Sequence, residues 1–338
     1  MFRGILALAF SAAAFAQTPP GAPQSEPASI KVEVNEVIVP VTVTDYKNRF
    51  ISNLDRPDFT IFENGREQKI AYFNREQSQP VVVGFVLDLS SSSRVHWKSY
   101  QDAAQQLVWT LLSEDRSKKY NGYLVTYNTE AELAVDTTTD PDAITDRIGK
   151  MKPGGGSALF DAIVLAMTKH TQIAGEPLQP RSVMVVIGSG NDNASKHTLD
   201  QVIELAQRHL VTIYALSTTA YGFNNEGDLA LKRMAEETGG RVEFPLENVY
   251  KDVSGYLSKP QDAGNYAITV ESGGYTAALT TSIFNAIANV AGEVTTQYIL
   301  RYSPDTPSGE SRKFRTITVQ VNVPDAKVRA RRGYYPAP

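Results

Sequence analysis

One stretch limits what this chain can fold into more than any other. Val81-Val82-Val83-Gly84-Phe85-Val86-Leu87 is apolar at every position, and it stops on Asp88-Leu89-Ser90-Ser91-Ser92. A strand with one wet face alternates apolar and polar residues, whereas an unbroken apolar run fits a strand covered on both faces. That implies a parallel sheet with helices on either side. In such sheets ligands gather beyond the carboxyl ends of the strands, which is where Asp88 falls. The spacing Asp88-x-Ser90-x-Ser92 places one anionic oxygen and two hydroxyls on one tight loop, a set suited to a hard dication such as Mg²⁺. The same residues would also serve as a turn capping the next helix.

The rest of the chain supplies the helices. His96 to Leu112, Asp142 to Met151, Ala158 to Thr171, Leu199 to His209 and Leu229 to Thr238 carry apolar residues at helical spacing or follow start signals such as Asp140-Pro141. Between them lie strand-like runs at Tyr123 to Tyr127, Ala131 to Val135, Val183 to Ile187, Val211 to Leu216 and Val242 to Phe244. This alternation predicts a doubly wound α/β domain, Rossmann-like, with a mostly parallel sheet. Pro245 to Tyr275 is irregular and reads as an insertion. Ala277 to Glu293 predicts a helix and Gln297 to Tyr302 a strand.

Both ends of the chain read differently. Ile30 to Thr44 alternates in two phases that change at Asn35-Glu36. Phe59 to Phe62 and Gln68 to Phe73 are joined through Asn64-Gly65, a hairpin signal because both residues tolerate positive φ. Phe314 to Val323 alternates, and Val328 to Tyr335 forms a last strand. Few-stranded sheets are marginal alone. The two ends are therefore expected to combine into a small β-sandwich, with the α/β domain inserted in it. The expected divisions are 1–16 leader, 17–29 linker, 30–78 first sandwich part, 79–303 α/β domain with 245–275 inserted, and 304–338 closing strands. The basic residues Lys327, Arg329, Arg331 and Arg332 read as a solvated strand edge.

Met1 to Ala16 has Arg3, an apolar run from Ile5 to Phe15, and small residues at Ala14 and Ala16, the pattern of a secretory leader. This predicts a secreted or periplasmic protein. The leader is shorter than the ~20 residues of a spanning helix. No later run is long enough either, so no integral membrane segment is expected in the mature chain. Among 338 residues there is no cysteine, so the core must stabilise the fold without disulfides. A formal net charge of −4 gives no reason to expect nucleic acid. The four histidines show no zinc spacing.

Three loops now stand out: Asp88 to Ser92, Gly154-Gly155-Gly156-Ser157, and Gly188-Ser189-Gly190-Asn191-Asp192. With the segments VNEVIVPVTVTD, DFTIFENGREQKIAYF, GGGSALFDAI, TTQYILRYSP, FRTITVQVNV and VRARRGYY, the chain resembles the von Willebrand factor type A family. Within it, the resemblance is to the related proteins of acidobacteria. It implies a metal-ion-dependent adhesion site for Mg²⁺ or Mn²⁺, with Asp88, Ser90 and Ser92 as the first ligand loop and Ser157 in the place of the family's threonine. Ser189 stands where the family has an aspartate, which removes a carboxylate. Asp192 matches a different family position. The resemblance further implies an exported protein-binding or adhesion module, not an enzyme, whose partner presents an Asp or Glu to the metal. The alternatives are a metal-independent interaction domain using the same loops and, with no G-x-S-x-G, H-E-x-x-H or cysteine nucleophile to support it, a hydrolase. Ser157 would also serve as the N-cap of the helix from Ala158.

Overall fold

In a computed structural model of the chain, residues 36–75, 80–94, 96–112, 120–170, 180–219, 225–246, 273–305 and 313–336 are described. They belong to the compact unit Asn35–Pro338. The expected leader (1–16), the linker (17–29) and most of the 245–275 insertion lie outside the described residues.

The apolar run forms β5 (Val81–Asp88), buried at every position. It is preceded by β1 (Val37–Thr44), β2 (Phe59–Glu63), β3 (Arg66–Gln68) and β4 (Ile70–Asn74). After it come α1 (Trp97–Leu111), β6 (Tyr120–Tyr127), β7 (Ala131–Thr138), α2 (Pro141–Gly149), α3 (Leu159–His170) and β8 (Arg181–Gly188). Then follow α4 (Leu199–Arg208), β9 (Thr212–Ser217), α5 (Glu226–Thr238) and β10 (Val242–Glu243). A long helix, α6 (Gly273–Thr296), leads into β11 (Tyr298–Tyr302), β12 (Arg315–Val321), β13 (Lys327–Ala330) and β14 (Gly333–Tyr334).

The central sheet has the order β10-β9-β8-β5-β6-β7. All its pairings are parallel except β6 with β7. Odd residues of β5 (Val81, Val83, Phe85, Leu87) pack with Leu107 of α1, Ile144 of α2 and Ile283 of α6. Even residues (Val82, Val86) pack on the other face with Leu159 of α3, Val202 of α4 and Leu231 of α5. Burial on both faces is the reason the run has no polar alternation.

The two ends of the chain close a β-sandwich. One sheet runs β13-β1-β11-β4 and the other β14-β12-β2-β3. Val37, Val39, Val41, Val43, Phe59, Ile61, Leu300 and Ile317 fill the space between them. The Asn64-Gly65 turn has φ of 49° and 77°, as the hairpin signal requires. The second strand of that hairpin divides at Lys69: β3 stays with β2, and β4 crosses to pair with β11. The last strand also divides, into β13 and β14 in opposite sheets. β11, inside the range 79–303, pairs with β1 and β4 of the sandwich.

The basic tail differs from a solvated edge. Lys327 and Arg332 are exposed, and β13 is an edge strand. Arg329, however, reaches the buried Glu293 of α6 with Nη2–Oε2 2.6 Å. Arg331 is buried and donates to the Leu210 carbonyl at 2.8 Å. Burial pulls its guanidinium down to about 10. The physical reason is that Arg329 and the following Arg331 lie against the α/β half, on Glu293 of α6 and the Leu210 carbonyl ahead of β9, while Lys327 at the strand's start stays in solvent.

Candidate functional site

The loops beyond β5 and β8 and the turn ahead of α3 meet at the carboxyl rim of the central sheet. Asp88 ends β5 and is buried, although it carries a carboxylate. Its Oδ1 accepts the Ser90 N–H at 2.7 Å, and its Oδ2 accepts the Ser189 N–H at 3.2 Å and the Ser189 hydroxyl at 3.4 Å. Ser90 and Ser92 share a hydroxyl bond at 2.7 Å, and Ser92 donates to Ser189 Oγ at 3.4 Å. With one proton per hydroxyl, the bonds form a single directed chain: Ser90 to Ser92 to Ser189 to Asp88. Ser92 is its exposed member.

The glycine loop is fastened to this chain from the side. Gly154 N donates to Leu89 O at 2.6 Å, Ser91 N to Gly155 O at 3.1 Å, and Gly155 N to Ser91 Oγ at 3.1 Å. Gly155 has φ of 99°, and a side chain there would press on Thr129 Oγ1. Ser157 lies next in this loop, buried, and its hydroxyl donates to the Asn191 carbonyl at 2.6 Å while its N–H donates to Asn193 Oδ1 at 2.8 Å. Ser157 thus ties the second loop to the third.

Ser157 does not cap α3. The N–H groups of Phe160 and Asp161 donate to Asp192 Oδ2 and Ser195 Oγ, both at 2.9 Å. Asp192, close in sequence to the third loop, is therefore engaged at a helix N-terminus, where a carboxylate satisfies free N–H groups and faces the positive end of the helix.

Two features of the rim escape a reading of sequence spacing. Gly190 has φ of 77°, and a Cβ there would run into the Gly227 backbone, so α5 packs directly on the third loop. The second is Tyr127, at the end of β6 and wholly buried. Its hydroxyl lies against Gly188, where a Cβ would collide with it and would also lie 2.8 Å from Asp88 Cβ. Burial first, then the facing Asp88 and Asp192 carboxylates, pushes this phenol well above its ordinary value.

Donor type fits a hard dication: hydroxyls and a carboxylate, with no soft or nitrogen ligand. Charge is scarce. Among the described residues no three His, Cys, Asp or Glu side chains group as a metal site. Among the described residues, Asp88 is the one carboxylate bonded into the serine chain.

A profile for the von Willebrand factor type A domain matches residues 83–254. No curated protein matches the chain. Among solved structures, the chain is similar to the conserved hypothetical protein BatB from Bacteroides thetaiotaomicron, with 17% identity over 53% of this chain and 98% of that one, TM-score 0.39. It is similar to a von Willebrand factor type A protein from Catenulispora acidiphila, with 15% identity over 61% of this chain and 51% of that one, TM-score 0.43. It is also similar to the vWF domain of the type V pili tip protein Mfa5 from Porphyromonas gingivalis, with 21% identity over 34% of this chain and 39% of that one, TM-score 0.31. The chain thus spans about half or less of the last two.

Proposed function

The chain belongs to the von Willebrand factor type A domain family, and from that premise we propose that it is an exported protein-interaction module that binds through the rim around Asp88. In this reading Asp88, Ser90, Ser92, Ser157 and Ser189 hold Mg²⁺ or Mn²⁺, and an Asp or Glu of the partner completes the shell. The ion supplies positive charge and open positions for that carboxylate. Asp88 would supply the anionic oxygen, Ser90, Ser189 and Ser157 would supply buried hydroxyls, and Ser92 is the exposed hydroxyl of the set. The observation that carries the reading is the linked chain of four side-chain oxygens from three hydroxyls and one carboxylate at the sheet's carboxyl rim. Export rests on the leader-like residues 1–16. No helix among the described residues is long and apolar enough to cross a membrane.

The same chain of hydroxyls supports a second reading. Its members already satisfy one another, so the rim is stable without an ion and would bind a partner through loop surface alone. Calorimetry with MgCl₂ and MnCl₂ separates the two. A carboxylate restored about 5 Å from a dication gains roughly 1.5–6 kcal/mol before desolvation, across effective dielectrics of 80 to 20. Even a third of the middle of that range is about tenfold in affinity. Ser189→Asp is therefore expected to tighten Mn²⁺ binding by about tenfold or more, and Asp88→Ala to abolish it. A wild type that binds neither ion, with no gain in Ser189→Asp, would overturn the metal reading and leave the metal-free interaction domain in its place. Capture of partners from an exported-protein fraction, with and without chelator, reads the same distinction at the level of binding.

A further inference from the structure

Two tyrosines of β6 lie on the same face of the central sheet, and both end against a glycine. Tyr123 covers Gly84, where an added Cβ would meet its ring, and its hydroxyl donates to the Ala166 carbonyl at 2.8 Å. Tyr127 reaches one strand further, past Asp88 on β5 to Gly188 on β8. Asp88 and Tyr127 are Cα partners in the β5–β6 pairing. Among the described residues the buried Tyr127 hydroxyl forms no hydrogen bond of ordinary geometry, although it faces the Asp88 carboxylate. A buried donor without an acceptor costs stability, so its retention beside a carboxylate calls for a reason.

Asp88 explains why the phenol is left over. In the closed rim the carboxylate is turned toward Ser90 and Ser189, and its two oxygens accept three bonds from them. A carboxylate that ligates a cation turns one oxygen to the ion and is itself held by an outer hydrogen bond. We propose that Tyr127 is the positioning residue of the rim, donating its hydroxyl squarely to Asp88 when that carboxylate turns to a divalent cation and only facing it, without a well-formed bond, when the rim is closed on its own serines. Gly188 is part of the device, because only a residue without a side chain leaves the phenol room beside Asp88. The inference rests on the metal reading above.

The test compares wild type, Tyr127→Phe and Tyr123→Phe, with Mn²⁺ as the probe. Each variant loses one oxygen and keeps its ring. In EDTA, Tyr127→Phe is expected to melt at or above the wild-type temperature, since it loses only a buried hydroxyl that makes no well-formed bond in the closed rim. Its Mn²⁺ affinity, measured by calorimetry and by the paramagnetic resonance of free Mn²⁺, is expected to fall about 10–100-fold. Tyr123→Phe is expected to show the opposite pattern: a lower melting temperature in EDTA and unchanged Mn²⁺ affinity. Wild-type affinity in Tyr127→Phe would overturn the inference and leave the metal site standing. A lower melting temperature for Tyr127→Phe in EDTA would also overturn it, by showing the hydroxyl already engaged in the closed rim. A wild type that binds no Mn²⁺ would remove the metal reading and this inference together.

Discussion

Glu293 is the residue whose replacement tests the architecture most directly. It lies on α6 with no exposed side-chain surface, at the place where the α/β half meets the sandwich. Its Oε1 accepts from Thr42 of β1 at 2.9 Å and from Arg329 Nε at 3.1 Å; its Oε2 accepts from Arg329 Nη2 at 2.6 Å. Arg241 stands 3.8 Å away. Glu293→Gln keeps the shape and removes the anion, leaving two guanidinium groups without it. Breaking a buried pair costs about 3–5 kcal/mol. The Arg329 side chain is 34% exposed, so water takes up part of its charge and the lower end applies. A loss of about 3 kcal/mol is a large share of the roughly 5–15 kcal/mol that holds a domain folded. At roughly 2–4 °C per kcal/mol for chains somewhat shorter than this one, the melting point drops by about 6–12 °C. Urea unfolding followed by tryptophan fluorescence and near-ultraviolet dichroism measures it. The double variant Glu293→Met/Arg329→Met should recover most of the loss, because apolar side chains replace a buried pair at little net cost. A Glu293→Gln loss below about 1 kcal/mol, the worth of an exposed pair, would refute the idea that this cluster joins the two halves.

Three further outcomes are expected. Gly190→Ala places a Cβ into the Gly227 backbone at positive φ, and should destabilise by about 1–3 kcal/mol while weakening any Mn²⁺ binding; a wild-type urea midpoint would contradict the direct packing of α5 on the third loop. Asn225 caps α5 by accepting the Asp228 N–H at 2.7 Å, so Asn225→Ala should cost about 1 kcal/mol in the same assay, and Asn225→Asp much less. Burial lowers His96 below its ordinary 6.5, and burial together with Arg208 lowers His209. The unfolded chain then takes up these protons first, so stability present above pH 6.5 is lost as pH falls through that value toward the folded ones. Urea midpoints from pH 8 to 5 should decline, and His209→Gln should flatten the slope; a midpoint that holds constant would count against burial as the cause.

The fold was legible where one physical signal dominated. The run Val81 to Leu87 could be placed because burial on both faces removes alternation, and that gave the parallel sheet its centre. The sandwich followed from the opposite signal, short alternating strands at both ends with no partner nearby. What could not be read was the point at which a strand changes sheets. Gln68 to Phe73 has one continuous pattern, yet β3 and β4 pair with different neighbours on either side of Lys69. The choice is made by partners more than 200 residues away, among them Leu300 opposite Phe73. β1 shows the same limit from another side. Its alternation suggests a wet face, but Thr42 is buried under α6, bonded to Glu293 and Gln297.

At the rim, spacing placed the residues that lie on one loop and failed for those joined across loops. Asp88, Ser90 and Ser92 are two positions apart, so their meeting requires only a tight turn. Ser157 has a hydroxyl at a helix start, and spacing alone makes it a cap; the caps come instead from Asp192 and Ser195, more than thirty residues on. Tyr127 carries no signal at all, since tyrosine in a buried strand is ordinary, and its hydroxyl gains meaning only from the missing side chain at Gly188. Glu293 is the same kind of case. A lone glutamate in a helix reads as solvent-facing, and only the return of β13, carrying Arg329, turns it into a buried junction. Charges and hydroxyls whose partners are brought by topology are the part of a site that local pattern cannot reveal. For this reason the tests above act on Tyr127, Ser189 and Glu293 rather than on the Asp88 loop alone.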